Sequence, residues 1–241
     1  MKTVVITGGS RGIGFSIVKE LISKKYLVIN ISKNKNISFK NKNLFNYSCD
    51  IAKHKNVSLL FDKIYRKHGN FYALINNAGI NPSRENLSDT SYKDFDRTLK
   101  TNIYGAFNCS KFFIKKKLIN KNPGVIINIS SIVGLVSHEK RASYSISKSA
   151  INGLTRSIVA DYSHLKLRCF SICPGYVETD LTRNFLNKLG KIQKNKLVKK
   201  RKLGKLGYPK DVANLVSFLL DHKKSSWMTG NILPLDGGYV S

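Results

Sequence analysis

Seven short apolar runs, separated by longer stretches of helical periodicity, constrain this sequence more than any other feature. They are Thr3 to Ile6, Leu27 to Ile31, Leu44 to Tyr47, Tyr72 to Ile75, Val125 to Ile129, Leu167 to Ile172 and Ile232 to Leu235. Runs this short, mostly apolar and rich in β-branched residues, read as strands buried on both faces. Strands that alternate with helices through short loops join by right-handed crossovers, which puts helices on both faces of a mostly parallel sheet. With 241 residues, 41% of them hydrophobic, the chain can bury one substantial core but is short for two domains. It shows no internal repeat and no Pro/Ser-rich linker. The expected fold is a single doubly wound α/β domain over residues 1–241 with a seven-stranded sheet.

Ligands bind such sheets beyond the carboxyl ends of the strands, so the residues after each run carry the functional information. The first run leads into Thr7-Gly8-Gly9-Ser10-Arg11-Gly12-Ile13-Gly14, followed at helical spacing by Ile17, Val18, Leu21 and Ile22. Glycines there let backbone N–H groups and a helix N-terminus approach a pyrophosphate. A glycine-rich turn alone also simply makes turns; the strand before it and the amphipathic helix after it supply the context of a dinucleotide site. An acid at the end of the second strand would accept the ribose hydroxyl of NAD. The chain instead reads Ile31-Ser32-Lys33. Lys33 and Arg11 suit the additional phosphate of NADP through charge-assisted hydrogen bonds. In so lysine-rich a chain the missing acid carries more weight than Lys33.

After the fifth run comes Asn128-Ile129-Ser130-Ser131, and further on Tyr144-Ser145-Ile146-Ser147-Lys148. Tyr144 and Lys148 stand four apart, which stacks both side chains on one helix face. A free tyrosine has a pKa of about 10, so proton transfer near neutrality requires its phenolate to be favoured by roughly three units, or about 4 kcal/mol. A neighbouring Lys148 ammonium can supply much of this, while the Ser131 hydroxyl holds a substrate oxygen as charge develops on it. Separately, Tyr-x-x-x-Lys and a serine after a strand are common; together after successive strands they point to carbonyl–alcohol chemistry.

The chain resembles the short-chain dehydrogenase/reductase family over nearly its whole length. The matching residues are Thr7 to Gly14, Asp50-Ile51, Asn76-Asn77-Ala78-Gly79, Asn102, Ser131, Tyr144 with Lys148, and Pro174-Gly175. The resemblance implies a Rossmann domain with NADP(H) as cofactor and Asn102, Ser131, Tyr144 and Lys148 as the catalytic set. By the same resemblance Asn102 helps position a water in a proton relay to Lys148. Gly8, Ser10, Arg11, Ile13, Gly14, Ser32 and Lys33 line the phosphate end. Asp50 and Ile51 lie against the adenine, and Asn77, Ala78 and Gly79 contact the adjacent ribose. Pro174, Gly175 and Val177 border the nicotinamide, with Thr179 near its carboxamide. Within the family the chain is most similar to the 3-oxoacyl-[acyl-carrier-protein] reductases, through Gly175-Tyr176-Val177-Glu178-Thr179-Asp180, Thr229-Gly230 and Asp236-Gly237-Gly238. Asn81-Pro82-Ser83-Arg84-Glu85-Asn86 departs from that group's pattern, which opens the substrate question.

Between Asp180 and Gly207, where the family carries its substrate lid, Arg183, Lys188, Lys191, Lys194, Lys196, Lys199, Lys200, Arg201, Lys202 and Lys205 face only Asp180 as a counter-charge. Leu186, Leu189, Ile192, Leu197 and Leu203 predict a helix-rich lid with an apolar face. A positive lid steers an anionic substrate, such as a carrier-linked acyl group, a sugar acid or a phosphorylated metabolite. The same charge also follows from the composition of the whole chain, and the two readings stay open. His138, Arg141 and Tyr176 are candidate substrate contacts beside Ser131 and Tyr144.

The balance of 42 Lys+Arg against 14 Asp+Glu, a net +28, would suit nucleic acid, but the charge is spread along a Lys-, Asn- and Ile-rich chain without a binding motif. We therefore expect no nucleic-acid partner. The start of the chain lacks the pattern of a signal peptide and no run is long enough for a membrane span, so a cytoplasmic protein without a membrane partner is expected. Cys49, Cys109, Cys169 and Cys173 share no metal-ligand spacing, and no metal is proposed. Two long helices, about Thr90 to Lys117 and Ala142 to His164, pack between subunits in the resembling family, which implies a homotetramer, with a dimer as second choice. The rival functions are a sugar, sugar-acid or polyol dehydrogenase, and a non-catalytic cofactor-bound scaffold, against which the complete Asn102, Ser131, Tyr144 and Lys148 set argues.

Overall fold

The computed structural model describes residues 1–241 except 34–38, 83, 121, 180, 181, 184, 185, 188 and 241. Ser83, Asp180 and Lys188, singled out above, lie outside the described residues. The elements run β1 (Thr3–Thr7), α1 (Gly12–Ser23), β2 (Leu27–Ser32), β3 (Leu44–Ser48), α2 (His54–His68) and β4 (Phe71–Asn76). Then follow α3 (Tyr92–Leu99), a π turn (Lys100–Tyr104), α4 (Gly105–Asn120), β5 (Gly124–Ile129), α5 (Ala142–Tyr162) and β6 (Leu167–Pro174). The remainder is α6 (Lys191–Lys199), α7 (Pro209–Leu220), α8 (His222–Ser225) and β7 (Ile232–Leu235).

The seven strands pair in the order β3-β2-β1-β4-β5-β6-β7, and every neighbouring pair is parallel. The chain winds outward from β1 to β3 and then crosses back to β4. A crevice therefore opens between the carboxyl ends of β1 and β4, where crossovers leave in opposite directions. Both faces of the sheet are covered, which is why the strands read as continuous apolar runs rather than alternating ones. Val4, Ile6, Val28, Ala73 and Ile75 pack with Ile17 and Leu21 of α1 and Val212 and Val216 of α7. Val5, Ile29, Leu74 and Ile126 point the other way, against Phe61 of α2, Phe113 of α4 and Ile158 of α5. Each fully buried Phe, Leu or Ile contributes roughly 1.5–3 kcal/mol of transfer free energy.

Two expectations are adjusted. The helix expected from Thr90 to Lys117 starts two residues later, at Tyr92 after a Ser91 cap whose Oγ accepts the Asp94 N–H at 3.1 Å, and the π turn at Lys100–Tyr104 interrupts it. The lid does hold a helix, α6, but Ile192 and Leu203 are 72% and 68% exposed. Five residues apart on a helix, Ile192 and Leu197 do not share a face. Leu186 and Leu206 are the buried lid leucines among the described residues.

Candidate active site

The glycine turn joins β1 to α1 in the crevice. Gly8 has φ +70°, and a Cβ there would lie 2.9 Å from the Ala78 Cα, so the residue must be glycine on both counts. Gly14 is excluded from carrying a side chain by the turn itself: its Cβ would stand 2.1 Å from the Gly8 carbonyl oxygen. Arg11 occupies the N-cap of α1 without a side-chain cap, and the first turn holds no acid. The leading N–H groups of α1 are thus left to an external anion, which is what a pyrophosphate needs. Asn77 braces this turn: its Nδ2 donates to the Thr7 and Gly8 carbonyls at 3.1 and 2.9 Å, while the Asn77 and Ala78 N–H groups donate to Thr7 Oγ1.

At the end of β2, Ser10 Oγ donates to Ser32 Oγ at 2.9 Å, Ser32 Oγ to Asn30 Oδ1 at 3.1 Å, and the Gly9 N–H to that same Oδ1 at 2.8 Å. The strand end bears no carboxylate of its own. Lys33 is 81% exposed and its Nζ lies 3.6 Å from Asp50 Oδ2, so the cation spans from β2 to the residue after β3. Asp50 also accepts the Ala52 N–H, and Ile51 is buried against Gly105 of α4. Arg11 is exposed at the same end of the crevice.

Ser131, Tyr144 and Lys148 come together beyond the carboxyl end of β5. Ser131 caps a short 3₁₀ turn, its Oγ accepting the Val133 N–H at 3.4 Å, and its hydroxyl lies close enough to the Tyr144 phenol to favour the phenolate. Lys148, 5% exposed, sits 5.6 Å from the Tyr144 ring centre and donates from Nζ to the Ile129 carbonyl at 2.8 Å. Burial pushes the Lys148 ammonium down to about 8. Burial pushes Tyr144 up, and the nearby Ser131 hydroxyl and the Arg141 charge pull it back. Arg141, expected only as a substrate contact, is thus one of the groups favouring the phenolate.

Asn102 lies in the π turn and is 2% exposed. Its Oδ1 accepts the Ile80 N–H at 2.8 Å, and its Nδ2 donates to the Ile80 carbonyl and to Ser147 Oγ, both at 3.0 Å. These bonds fasten the end of β4 to α5. A Cβ on Gly79 would fall 3.1 Å from Asn102 Oδ1 and 3.6 Å from Lys148 Nζ, so Asn102 and Lys148 flank one glycine. Ser130, Ser147 and Asn152 support the set: Ser130 Oγ donates to the Lys148 carbonyl, Ser147 Oγ to that of Tyr144, and Asn152 Nδ2 to that of Gly134.

On the far side, Pro174 ends β6 and the Gly175 N–H donates to the Leu235 carbonyl at 3.0 Å. Val177 is buried and bridges to Gly207, and the Thr179 methyl borders Gly12. Arg84 donates to the Tyr176 hydroxyl, and Arg141 donates to Asn81 Oδ1 and the Pro82 carbonyl. Arg201 lies 4.9 and 4.8 Å over the rings of Tyr176 and Tyr239, and His138 stacks on Tyr239 at 5.5 Å. Arg84 and Tyr239 were not among the expected site residues, because only long-range packing brings them here.

Cys109, Cys169 and Cys173 are buried thiols, and burial pushes each upward, Cys169 to about 12. Among the described residues no group of three or more His, Cys, Asp or Glu could hold a metal. No helix among them is long and apolar enough to cross a membrane.

Sheet order and glycine turn place the chain among doubly wound nucleotide-binding domains. A family model described as enoyl-(acyl carrier protein) reductase matches residues 8–240. The chain belongs to the short-chain dehydrogenase/reductase family of oxidoreductases. It is 34% identical over 249 residues to a 3-oxoacyl-[acyl-carrier-protein] reductase of Rickettsia prowazekii, covering 99% of this chain and 97% of that one. Carbonyl reductase family member 4 of Danio rerio is 32% identical over 243 residues, covering 98% and 97%. Among solved structures, the ligand-free aldohexose dehydrogenase of Thermoplasma acidophilum superposes with a TM-score of 0.90 at 30% identity over 99% of this chain and 94% of that one. ElxO with NADP bound superposes with a TM-score of 0.92 at 30% identity, covering 99% and 98%.

Proposed function

We propose that this protein is an NADP(H)-dependent oxidoreductase that interconverts a carbonyl and a secondary alcohol. The observation that carries the reading is the convergence of Ser131, Tyr144 and Lys148 beside the glycine turn in one crevice. A dinucleotide fits that crevice: the turn has no room for side chains at Gly8 and Gly14, and the start of α1 is uncapped. Gly8, Ser10, Ile13 and Gly14 would hold its pyrophosphate, Asp50 and Ile51 its adenine, the backbone of Ala78 and Gly79 a ribose, and Pro174, Gly175, Val177 and Thr179 its nicotinamide end. Bound there, the nicotinamide supplies or accepts the hydride.

The chain's own residues handle the oxygen and its proton. Ser131 holds the substrate oxygen through its hydroxyl as negative charge builds up there, and Tyr144 transfers the proton to it. Lys148, fixed by Ile129, keeps the phenol oriented and replaces its proton. Asn102 has its side chain committed to Ile80 and Ser147, so its part in a relay is to fix the backbone around Gly79 and Lys148.

NADP rather than NAD is favoured by the missing acid at Ser32-Lys33, by Lys33 and Arg11 at the same end, and by the NADP-bound relative ElxO. A 3-oxoacyl thioester on a carrier protein is the substrate suggested by the relatives' names. A sugar, sugar acid or polyol is the second reading, favoured by the aldohexose dehydrogenase neighbour and the altered loop at residues 81–86. We place the protein in the cytoplasm as a homotetramer, with a dimer as the second choice. A panel of ketones, aldehydes, oxo acids and 3-oxoacyl thioesters, followed by NADPH and NADH absorbance, tests the reading. Reduction of at least one class, faster with NADPH, is expected; no turnover with either cofactor overturns it.

A further inference from the structure

The mouth of the site beside Tyr144 gathers an unusual set of cations. Arg201 is 4% exposed, whereas its lid neighbours Lys194, Lys196, Lys199, Lys200, Lys202 and Lys205 are exposed. It is packed between the rings of Tyr176 and Tyr239, with one N–H group donating to the Leu197 carbonyl. Its buried Nε has no hydrogen-bond partner among the described residues, and neither does the buried Nε2 of His138, which stacks on the same Tyr239 ring. Arg141 closes the other side, one helical turn before Tyr144, and borders a small pocket with Pro82, Glu85, Ser143 and Tyr144. Arg84, Arg141, Lys200 and Arg201 are all close enough to His138 to disfavour its charge.

Among the described residues, the acids near Arg141 and Arg201 do not balance them. Asp236 faces Arg201, but its two carboxylate oxygens accept the Gly238 and Val240 N–H groups at 2.9 Å each. Asp94, bordering the pocket, is paired with Arg97 at 2.9 Å. Glu85 meets Arg141 through a backbone bridge. A fully buried guanidinium with an unused donor is costly unless something anionic completes it.

We propose that this mouth is an oxyanion subsite formed by Arg201, Arg141 and His138, so that the substrate carries a carboxylate or phosphate within a side chain's reach of its reacting carbonyl. The inference rests on the carbonyl-reducing reading and narrows its substrate. It separates the two candidates above, because a 3-oxoacyl thioester is neutral near its carbonyl and bears its phosphate only at the far end of the carrier arm. A small oxo acid, sugar acid or phosphorylated ketone meets the requirement. The planar forks of Arg141 and Arg201 suit two-oxygen anions, which a lysine would hold less specifically.

The first test needs no turnover. Calorimetric titration of the protein with malonate and with inorganic phosphate, at low ionic strength, compares wild type, Arg141→Gln, Arg201→Met and a control, Lys55→Gln, on the exposed start of α2. Wild type and the control should bind at least one of the two anions equally well, and Arg141→Gln should weaken binding at least about tenfold. The stronger of the two anions identifies the source as carboxylate or phosphate. No binding, or the same loss in the control, overturns the proposal. Should Arg201→Met fail to fold, Arg141→Gln decides alone. The second test compares kcat/KM for matched pairs, acetoacetate against methyl acetoacetate and dihydroxyacetone phosphate against dihydroxyacetone. For whichever pair is reduced, the anion should lead by at least about tenfold and the lead should shrink in Arg141→Gln. Equal values within a pair overturn the subsite. If no carbonyl at all is reduced, the enzymatic reading falls, while the titration still decides the subsite.

Discussion

Lys148 stores a cost that can be measured apart from catalysis. Its side chain is buried, its Nζ is bonded to the Ile129 carbonyl, and burial lowers it from 10.5 to about 8. A difference of about 2.5 units corresponds to roughly 3 kcal/mol against holding the charged form in the folded protein. The folded state releases this proton more readily than the unfolded chain, so between pH 8 and 10.5 the unfolded chain binds more protons and stability rises with pH. Below pH 8 both states are protonated and the cost is present in full; above pH 10.5 it is gone. Replacing Lys148 by Met removes the charge and keeps the length, while leaving the Ile129 carbonyl without this donor at a cost of about 1–3 kcal/mol. The cofactor-free variant should therefore be about 0–2 kcal/mol more stable than wild type at pH 7, a rise in Tm of up to about 8 °C, while losing at least about a hundredfold in kcat. Urea unfolding at pH 7 and pH 10 gives the stability difference and its pH dependence, thermal unfolding gives Tm, and NADPH turnover gives kcat. Lys117, equally buried and also lowered to about 8, is a second contributor, so Lys148→Met should reduce the pH dependence without abolishing it. A variant destabilised by 2 kcal/mol or more at pH 7, or one with the wild-type pH dependence, would refute the reasoning.

Gly14→Ala pushes a Cβ into the Gly8 carbonyl, so the turn must shift; NADPH affinity should fall at least about tenfold by fluorescence titration, with a lower Tm. Asn102→Ala removes three hydrogen bonds from a buried site and leaves both polar groups of Ile80 without their side-chain partner. A loss of about 2–4 kcal/mol in urea unfolding is expected, with kcat falling alongside. Lys33→Asp breaks the pair with Asp50 and puts two acids at the end of β2 and β3. The ratio of kcat/KM for NADPH over NADH should drop at least about tenfold.

The strands were legible because a sheet covered on both faces demands consecutive apolar residues, and Val4 and Val5 serve opposite cores with no polar residue between them. The glycine turn and the Tyr144–Lys148 spacing were legible because each is a local geometric requirement. The π turn was not, since its register is held by Asn102 bonding across to Ile80 and Ser147, contacts distant in sequence from one another. Arg201 shows the same limit from the side of charge. In sequence it is one of ten basic residues of the lid, and only Tyr176 and Tyr239, contributed by other segments, make it a buried cation. Lys33 read as a cation for a phosphate, whereas the fold gives it Asp50 as a neighbour, a pairing between the ends of two adjacent strands.

Tyr144 is the proposed residue that passes a proton to the substrate oxygen. Stopped-flow measurement of NADPH oxidation by wild type and Tyr144→Phe, with the best substrate of the panel, tests this most directly. The account predicts a fall in the hydride-transfer rate of at least about a hundredfold, with NADPH bound as tightly as before. A variant that turns over within a few-fold of wild type would contradict it.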